Sequence, residues 1–101
     1  RLKEIHRLIP DTPLVLHGAS TVLKEFVDKC NAYGGDIPGA QGVPEEMIRE
    51  ATKYGICKVN IDTDLRLALT AEVRKFLTEN PAEFDPRKYL GPARDAIRDL
   101  Q

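Results

Sequence analysis

Two short clusters of polar and small residues contain the side chains of this sequence that could perform chemistry. His17-Gly18-Ala19-Ser20 follows the apolar run Leu14-Val15-Leu16, and Asn60-Ile61-Asp62-Thr63-Asp64 follows an apolar run that begins at Ile56. A glycine lets backbone amides approach an anion, and a hydroxyl at a helix start favours a phosphate. A histidine aimed from a strand end suits metal ligation, and an asparagine can donate to a developing oxyanion. The clusters therefore predict a phosphate-binding site.

Each of these residues also has a simpler interpretation. A lone histidine at a strand end is more often structural than a metal ligand, and His6, the other histidine, is expected on the surface of the first helix. Three of the polar residues could act only as helix N-caps: Ser20, Asp62 and Thr63. Two arginines, Arg66 and Arg87, belong to a residue type that usually lies in solvent. Pattern alone leaves both interpretations open.

The elements that must position the clusters follow from hydrophobic periodicity and from helix breakers. Gly34-Gly35 and Asn80-Pro81 are predicted to end helices, and Pro44 is predicted to start one. The predicted order is a helix at 1–9, a strand at 14–16, a helix up to Gly34, a helix from Pro44 to Gly55, a strand at 56–61, a helix up to Asn80, a polar connection at 81–89 and a final helix to the end.

Strands that alternate with helices indicate parallel α/β units. The strand at 14–16 is entirely apolar, so it is predicted to be buried on both faces. Two strands cannot form a stable parallel sheet alone, which predicts a piece of a larger α/β fold. In (β/α)8 barrels a phosphate commonly binds in the loops after the last two strands. The two polar clusters fit that position.

Composition excludes several classes of function. The chain has 101 residues, 42% of them hydrophobic, and a net charge of -1. This charge gives no general attraction to nucleic acid or to an anionic membrane. Two cysteines, Cys30 and Cys57, lie at apolar positions and are expected to be free and buried, as suits a reducing cytoplasm. The first helix begins without a cap, which indicates the end of something longer.

Three motifs, in order along the chain, resemble class II fructose-bisphosphate aldolases. The run Leu14 to Ser20 resembles the seventh-strand motif of that family, and Lys58-Val59-Asn60-Ile61-Asp62-Thr63-Asp64-Leu65-Arg66 resembles its eighth-strand motif. The stretch from Glu83 to Arg94 is similar to the family's C-terminal region. One departure is Thr21-Val22-Leu23, where the family usually has a proline.

The resemblance implies a fold and an activity. Residues 1–101 would be the C-terminal part, strands seven and eight with their helices, of a single TIM (β/α)8 barrel domain. The family reversibly cleaves fructose 1,6-bisphosphate to dihydroxyacetone phosphate and glyceraldehyde 3-phosphate. A zinc ion polarises the ketone carbonyl and stabilises the enediolate. A cytoplasmic homodimer is implied as well.

The resemblance also implies a role for each residue. His17 would be one of three zinc histidines, and Asn60 would hydrogen-bond the enediolate oxygen. The phosphate of the dihydroxyacetone half, often with a monovalent cation (Na⁺ or K⁺), would be held by Gly18, Ser20, Asp62 and Thr63. Arg66 would contact the other phosphate, and Arg87 would reach it from the neighbouring subunit.

The sequence lacks the remaining zinc histidines, the general acid and the mobile-loop glutamate that the resemblance requires. The isolated chain is therefore expected to be inactive, because a catalytic zinc needs about three protein ligands. Two alternatives remain: a tagatose-bisphosphate aldolase, and a non-catalytic phosphate-binding fragment or half of a split barrel that pairs with another chain.

Overall fold

The computed structural model describes residues 1–17, 23–39 and 42–101 of the chain. In these ranges the elements are α1 (Leu2–Leu8), β1 (Leu14–Leu16), α2 (Lys24–Ala32), α3 (Glu45–Ala51) with a 3₁₀ turn (Thr52–Tyr54), β2 (Ile56–Val59), α4 (Thr63–Glu79) and α5 (Pro86–Leu100). The order of helices and strands predicted from the sequence is confirmed. The described residues form an α/β arrangement.

The two strands pair in parallel. Leu14 pairs with Ile56 and Leu16 with Val59, and an irregularity in the register lies between Leu14 and Val15. Backbone hydrogen bonds extend the ladder at both ends: the N–H of Leu14 donates to the Gly55 carbonyl at 2.8 Å, and the N–H of Asn60 donates to the Leu16 carbonyl at 3.2 Å. The second bond fixes the backbone directly after both strands, where the polar clusters begin.

Three helices form a layer in which α4 packs against both α2 and α5. Ala68 and Ala71 of α4 and Ala93 of α5 have no exposed surface, and small side chains of this kind let helix backbones approach closely. Cys30 of α2 is fully buried as well. The larger apolar residues of α4, such as Leu65 and Leu69, are only half-buried, and Leu77 is 38% exposed.

The ends of two helices follow from local chemistry. Gly34 adopts φ +88° after α2, where a residue with a Cβ would be strained, and the N–H of Gly35 donates to the Cys30 carbonyl at 2.9 Å. The predicted glycine end of this helix is confirmed. Pro44, predicted as the first residue of α3, is its N-cap instead, and the helix begins one residue later at Glu45.

Three predictions about the elements are wrong. The connection predicted at 81–89 ends early, because Asp85 caps a helix that starts with Pro86, a residue suited to the first helical position. The second strand ends at Val59 and not at residue 61, since β1 is only three residues long. The first strand is not buried on both faces: Val15 is 48% exposed, because nothing in the described residues covers that face.

The two cysteines also differ from each other. Both are free, as predicted, but the predicted burial of Cys57 is wrong: it is exposed, as is the next residue of β2. The structure is also extended: the Cα radius of gyration is 17.4 Å, whereas a compact domain of about 100 residues has a radius of gyration of about 13 Å.

No helix in the described part of the chain has the length and apolarity needed to cross a bilayer.

Candidate functional site

An open cleft of about 800 Å³ lies at the carboxyl end of β2. Its walls come from the start of α2, the segment that leads into α3, the connection from β2 to α4, and the end of α5. The lining residues are Leu23, Gly42, Val43, Pro44, Glu45, Ile48, Val59, Asn60, Ile61, Asp62, Thr63, Asp64, Leu65, Leu100 and Gln101. A cleft at this edge of a parallel sheet is where α/β folds bind ligands.

His17 and Asn60 are in direct contact at this edge. The side-chain nitrogen Nδ2 of Asn60 lies 2.6 Å from Nδ1 of His17, and both side chains are exposed. The backbone bond from Asn60 to Leu16 holds the two strand ends together, so each residue leaves the sheet beside the other. The structure thus brings together the predicted metal ligand and the predicted oxyanion donor.

Asp62 and Arg66 form an ion pair across one turn at the start of α4. The guanidinium Nη2 lies 2.9 Å from Asp62 Oδ2, and the side chains are 72% and 70% exposed for Asp62 and Arg66. Asp62 is the N-cap of α4 by position, but its side chain makes no capping hydrogen bond. The alternative role of Asp62 as a side-chain cap is therefore wrong, because the carboxylate turns towards Arg66.

Thr63 begins α4 and lines the cleft next to Asp64, whose side chain is buried with 6% exposure. The sequence predicted no site role for Asp64. The burial of Asp64 could have been predicted, since it lies at helical spacing from Ala68 and Ala71 on one face of α4. All three residues are buried in the structure. Glu45 also lines the cleft and was not predicted to do so. Glu45 thus adds to the cleft a carboxylate that lies outside the sequence motifs.

Arg87 lies away from the cleft of its own chain. It is near the start of α5, while Leu100 at the other end of that helix lines the cleft. Thirteen helical steps separate the two residues by about 20 Å. The guanidinium of Arg87 donates to Asp85, with Nη2 2.8 Å from Oδ2, and its backbone N–H donates to Oδ1 at 3.0 Å. The side-chain bond, and after it the backbone bond, lower the pKa of Asp85, and the side-chain bond raises the pKa of Arg87.

Two predicted phosphate-binding residues, Gly18 and Ser20, lie outside the described residues. The described His6 is half-buried, so its predicted surface position is wrong: its ring meets Tyr54 edge-on, with the centroids 6.1 Å apart. Within residues 1–17, 23–39 and 42–101, no three His, Cys, Asp or Glu side chains are grouped closely enough to hold a metal ion. His17 therefore offers one imidazole, not a complete metal site.

The sequence matches one protein family and many curated proteins. A family model described as fructose-bisphosphate aldolase class-II matches residues 37–100, well over half of the chain. A Treponema pallidum protein named fructose-bisphosphate aldolase is 56% identical over 98% of this chain and 30% of its own length. Proteins of the same name from Pseudomonas aeruginosa and Giardia intestinalis are 56% and 52% identical, over 99% and 87% of this chain and 28% and 27% of their own lengths. The chain thus spans less than a third of each relative.

Proposed function

Because the chain belongs to the class-II fructose-bisphosphate aldolase family, we propose that the protein of which it forms part cleaves fructose 1,6-bisphosphate reversibly to dihydroxyacetone phosphate and glyceraldehyde 3-phosphate, in glycolysis and gluconeogenesis. The observation that carries this proposal is the contact between His17 and Asn60 beside the cleft. An imidazole and an amide donor at one sheet edge suit a reaction in which a substrate oxygen gains negative charge. The chain supplies only part of that active site.

The proposed fold is a (β/α)8 barrel in which β1 and β2 are the seventh and eighth strands. Residues 1–101 would form the C-terminal portion of one domain, without a separate second domain. The exposed strand residues Val15 and Cys57 support this proposal, because neighbouring strands and helices of a barrel would cover them. The extended shape, with a radius of gyration of 17.4 Å, supports it as well.

The proposed substrate contacts lie along the cleft. Asn60 donates to the substrate oxygen that becomes negative when the carbon–carbon bond breaks, a contact that is stronger in the transition state than in the ground state. The phosphate of the dihydroxyacetone half is held by Gly18, Ser20 and Thr63, together with Asp62. A carboxylate repels a phosphate at close range, so Asp62 acts through a sugar hydroxyl or a monovalent cation, Na⁺ or K⁺.

The two arginines are proposed to bind the second phosphate. Arg66 lies one helical turn from Asp62 on α4, close enough to serve the same cleft. Arg87 is about 20 Å along α5 from the residues that line the cleft, so it is proposed to act on the site of a neighbouring subunit in a dimer. We propose the cytoplasm as the location of this enzyme.

Zinc is the proposed metal, and His17 is proposed as one of three histidine ligands. The exposed imidazole at the sheet edge fits this part, while the described residues of the chain contain no complete ligand set. The other ligands must come from the rest of the barrel. When bound, zinc acts as a Lewis acid on the ketone carbonyl. The isolated chain is proposed to be inactive, because one imidazole does not retain a catalytic zinc.

The test uses the full-length protein. We expect zinc-dependent cleavage of fructose 1,6-bisphosphate that a chelator abolishes and zinc restores, with slower cleavage of tagatose 1,6-bisphosphate. His17→Ala is expected to lose bound zinc, measured as metal per protein, and His6→Ala, which removes the chain's other histidine, is expected to retain it. Full zinc content in His17→Ala would refute the ligand assignment. Faster cleavage of the tagatose substrate would establish the alternative activity.

A further inference from the structure

Arg87 and Asp85, at the start of α5, are joined by several hydrogen bonds. In the side chain of Arg87, Nε donates to Oδ1 and Oδ2 of Asp85 at 3.1 and 3.2 Å, and Nη2 donates to Oδ2 at 2.8 Å. The backbone N–H of Arg87 donates to Oδ1 at 3.0 Å. A single carboxylate therefore caps the helix and also binds the side chain of the residue two positions later.

Asp85 is the more firmly held partner of this pair. Its side chain is 26% exposed, whereas that of Arg87 is 90% exposed. The N–H of Asp85 donates to Oε1 of Glu83 at 3.2 Å, and the N–H of Glu83 donates to the Asn80 carbonyl at 3.0 Å. The carbonyl of Asp85 accepts from the N–H of Lys88 at 2.9 Å. The segment between α4 and α5 thus gives the exposed arginine a fixed carboxylate to bind.

The side-chain bonds use only one edge of the guanidinium. This planar group carries five N–H donors and can bind a carboxylate or a phosphate through two of them at once. Asp85 is bound by the edge that Nε and Nη2 form. The edge that Nη1 and Nη2 form is directed away from this carboxylate, so it can bind a second anion in the same way.

We propose that Asp85 is a positioning residue for Arg87: its carboxylate orders the exposed guanidinium and presents the edge of Nη1 and Nη2 to the second phosphate of the sugar in the neighbouring subunit. A long side chain loses rotamer freedom when it binds a ligand, and Asp85 imposes that loss before the ligand arrives. The phosphate need not displace Asp85, because the two anions use different edges. The phosphate part of this inference rests on the proposed function, while the ordering of Arg87 by Asp85 does not.

Two roles of Asp85 predict opposite effects on the reaction. If the carboxylate only competed with the phosphate for Arg87, its removal would raise kcat/KM for the bisphosphate. If it positions Arg87, its removal lowers kcat/KM about 2- to 12-fold, which is the usual cost of ordering one long side chain on binding. A carboxylate that served only as a helix cap would change the unfolding midpoint and would affect all substrates alike.

The experiment compares fructose 1,6-bisphosphate with fructose 1-phosphate in the full-length protein and in its Asp85→Asn variant. Asparagine is also a good N-cap, but it lacks the charge and the second carboxylate oxygen. We expect kcat/KM for the bisphosphate to fall about 2- to 12-fold, chiefly through a higher KM, and the value for the monophosphate to stay within about twofold. Glu4→Gln is the matched control and should change neither substrate, because Glu4 forms an exposed two-bond pair with Arg7 on α1.

A double substitution shows whether Asp85 acts through Arg87. Arg87→Ala should lower kcat/KM for the bisphosphate, and adding Asp85→Asn should lower it no further, because the group to be positioned is gone. Equal effects of Asp85→Asn with and without Arg87 would overturn the inference alone, as would an unchanged or higher kcat/KM in the single variant. An unchanged kcat/KM in Arg87→Ala would overturn the proposed phosphate contact, and the inference with it.

Discussion

Replacing Arg66 with glutamine tests whether the start of α4 binds a phosphate. In the structure Arg66 is held by Asp62, with 2.9 Å between Nη2 and Oδ2, and both side chains are largely exposed. A phosphate that binds Arg66 must compete with this carboxylate. Because the pair lies in solvent, it is a weak competitor.

The size of the effect follows from two opposing contributions. Hydrogen bonds from a guanidinium to a charged group contribute about 1.5–3 kcal/mol. The exposed pair with Asp62 that must open first contributes about 0.2–1 kcal/mol. The net loss of about 0.5–2.8 kcal/mol in Arg66→Gln corresponds to a decrease in kcat/KM of about 2- to 110-fold. The carboxylate that remains is well hydrated, so the unfolding midpoint should be unchanged.

The assay compares fructose 1,6-bisphosphate with fructose 1-phosphate, which lacks the second phosphate. Arg66→Gln should lower kcat/KM for the bisphosphate and leave that for the monophosphate within about twofold, because the contact it removes exists only with the bisphosphate. Lys24→Gln is the matched control. Lys24 pairs with Asp28 at the same spacing, at 2.8 Å and in solvent, on α2. Its removal should not change either substrate.

Two results would refute the reasoning about Arg66. Equal losses for both substrates would mean that the arginine acts on the reacting half or on the structure of α4, and not on the second phosphate. An unchanged kcat/KM for the bisphosphate would mean that Arg66 serves only as the partner of Asp62.

Two further predictions concern stability and use urea unfolding of the full-length protein. Gly55→Ala should lower the free energy of unfolding by about 1–2 kcal/mol, because Gly55 has φ +84° and an added Cβ would lie 3.0 Å from Nδ1 of His6. Gly39→Ala is the control, because its added Cβ would meet nothing within 4 Å. Equal unfolding midpoints for the two variants would contradict the prediction. The pKa of Asp85 is lowered, chiefly by the side-chain hydrogen bond from Arg87. The ionised Asp85 therefore stabilises the folded protein fully above the usual pKa range of a carboxyl group, and this contribution is lost as the pH falls through the lowered pKa. The difference in midpoint between unsubstituted protein and Asp85→Ala should therefore vanish in acid, and a difference that is independent of pH would contradict the linkage.

The elements could be predicted where local signals were unambiguous. The strand at Leu14–Leu16 is a short apolar run between breakers, and its bounds were predicted correctly. The start of α5 was missed although Asp85-Pro86 is a typical helix start, because the same pair also suits a turn. The exposure of Val15 and Cys57 could not be predicted, since the sequence does not say which surfaces cover a strand.

The site could be predicted in part for similar reasons. His17 and Asn60 each follow a strand of one parallel pair, so their proximity follows from topology. The pairing of Asp62 with Arg66 was not predicted, although residues four apart on a helix face each other, because an aspartate before a helix equally suits an N-cap or a ligand contact. The choice between a phosphate and a neighbouring carboxylate as the partner of Arg66 depends on a substrate that the sequence does not contain.

The parallel ladder makes the distance between His17 and Asn60 independent of the length of chain that joins them. One backbone bond at the strand ends, from Asn60 to Leu16, holds that distance, while the described residues 35–39 and 42–44 of the segment between α2 and α3 belong to no helix or strand. Residues added to or removed from this segment would leave the two side chains in register. The same edge could therefore carry grafted loops of different lengths, which would make it a starting point for redesigning which sugar the protein accepts.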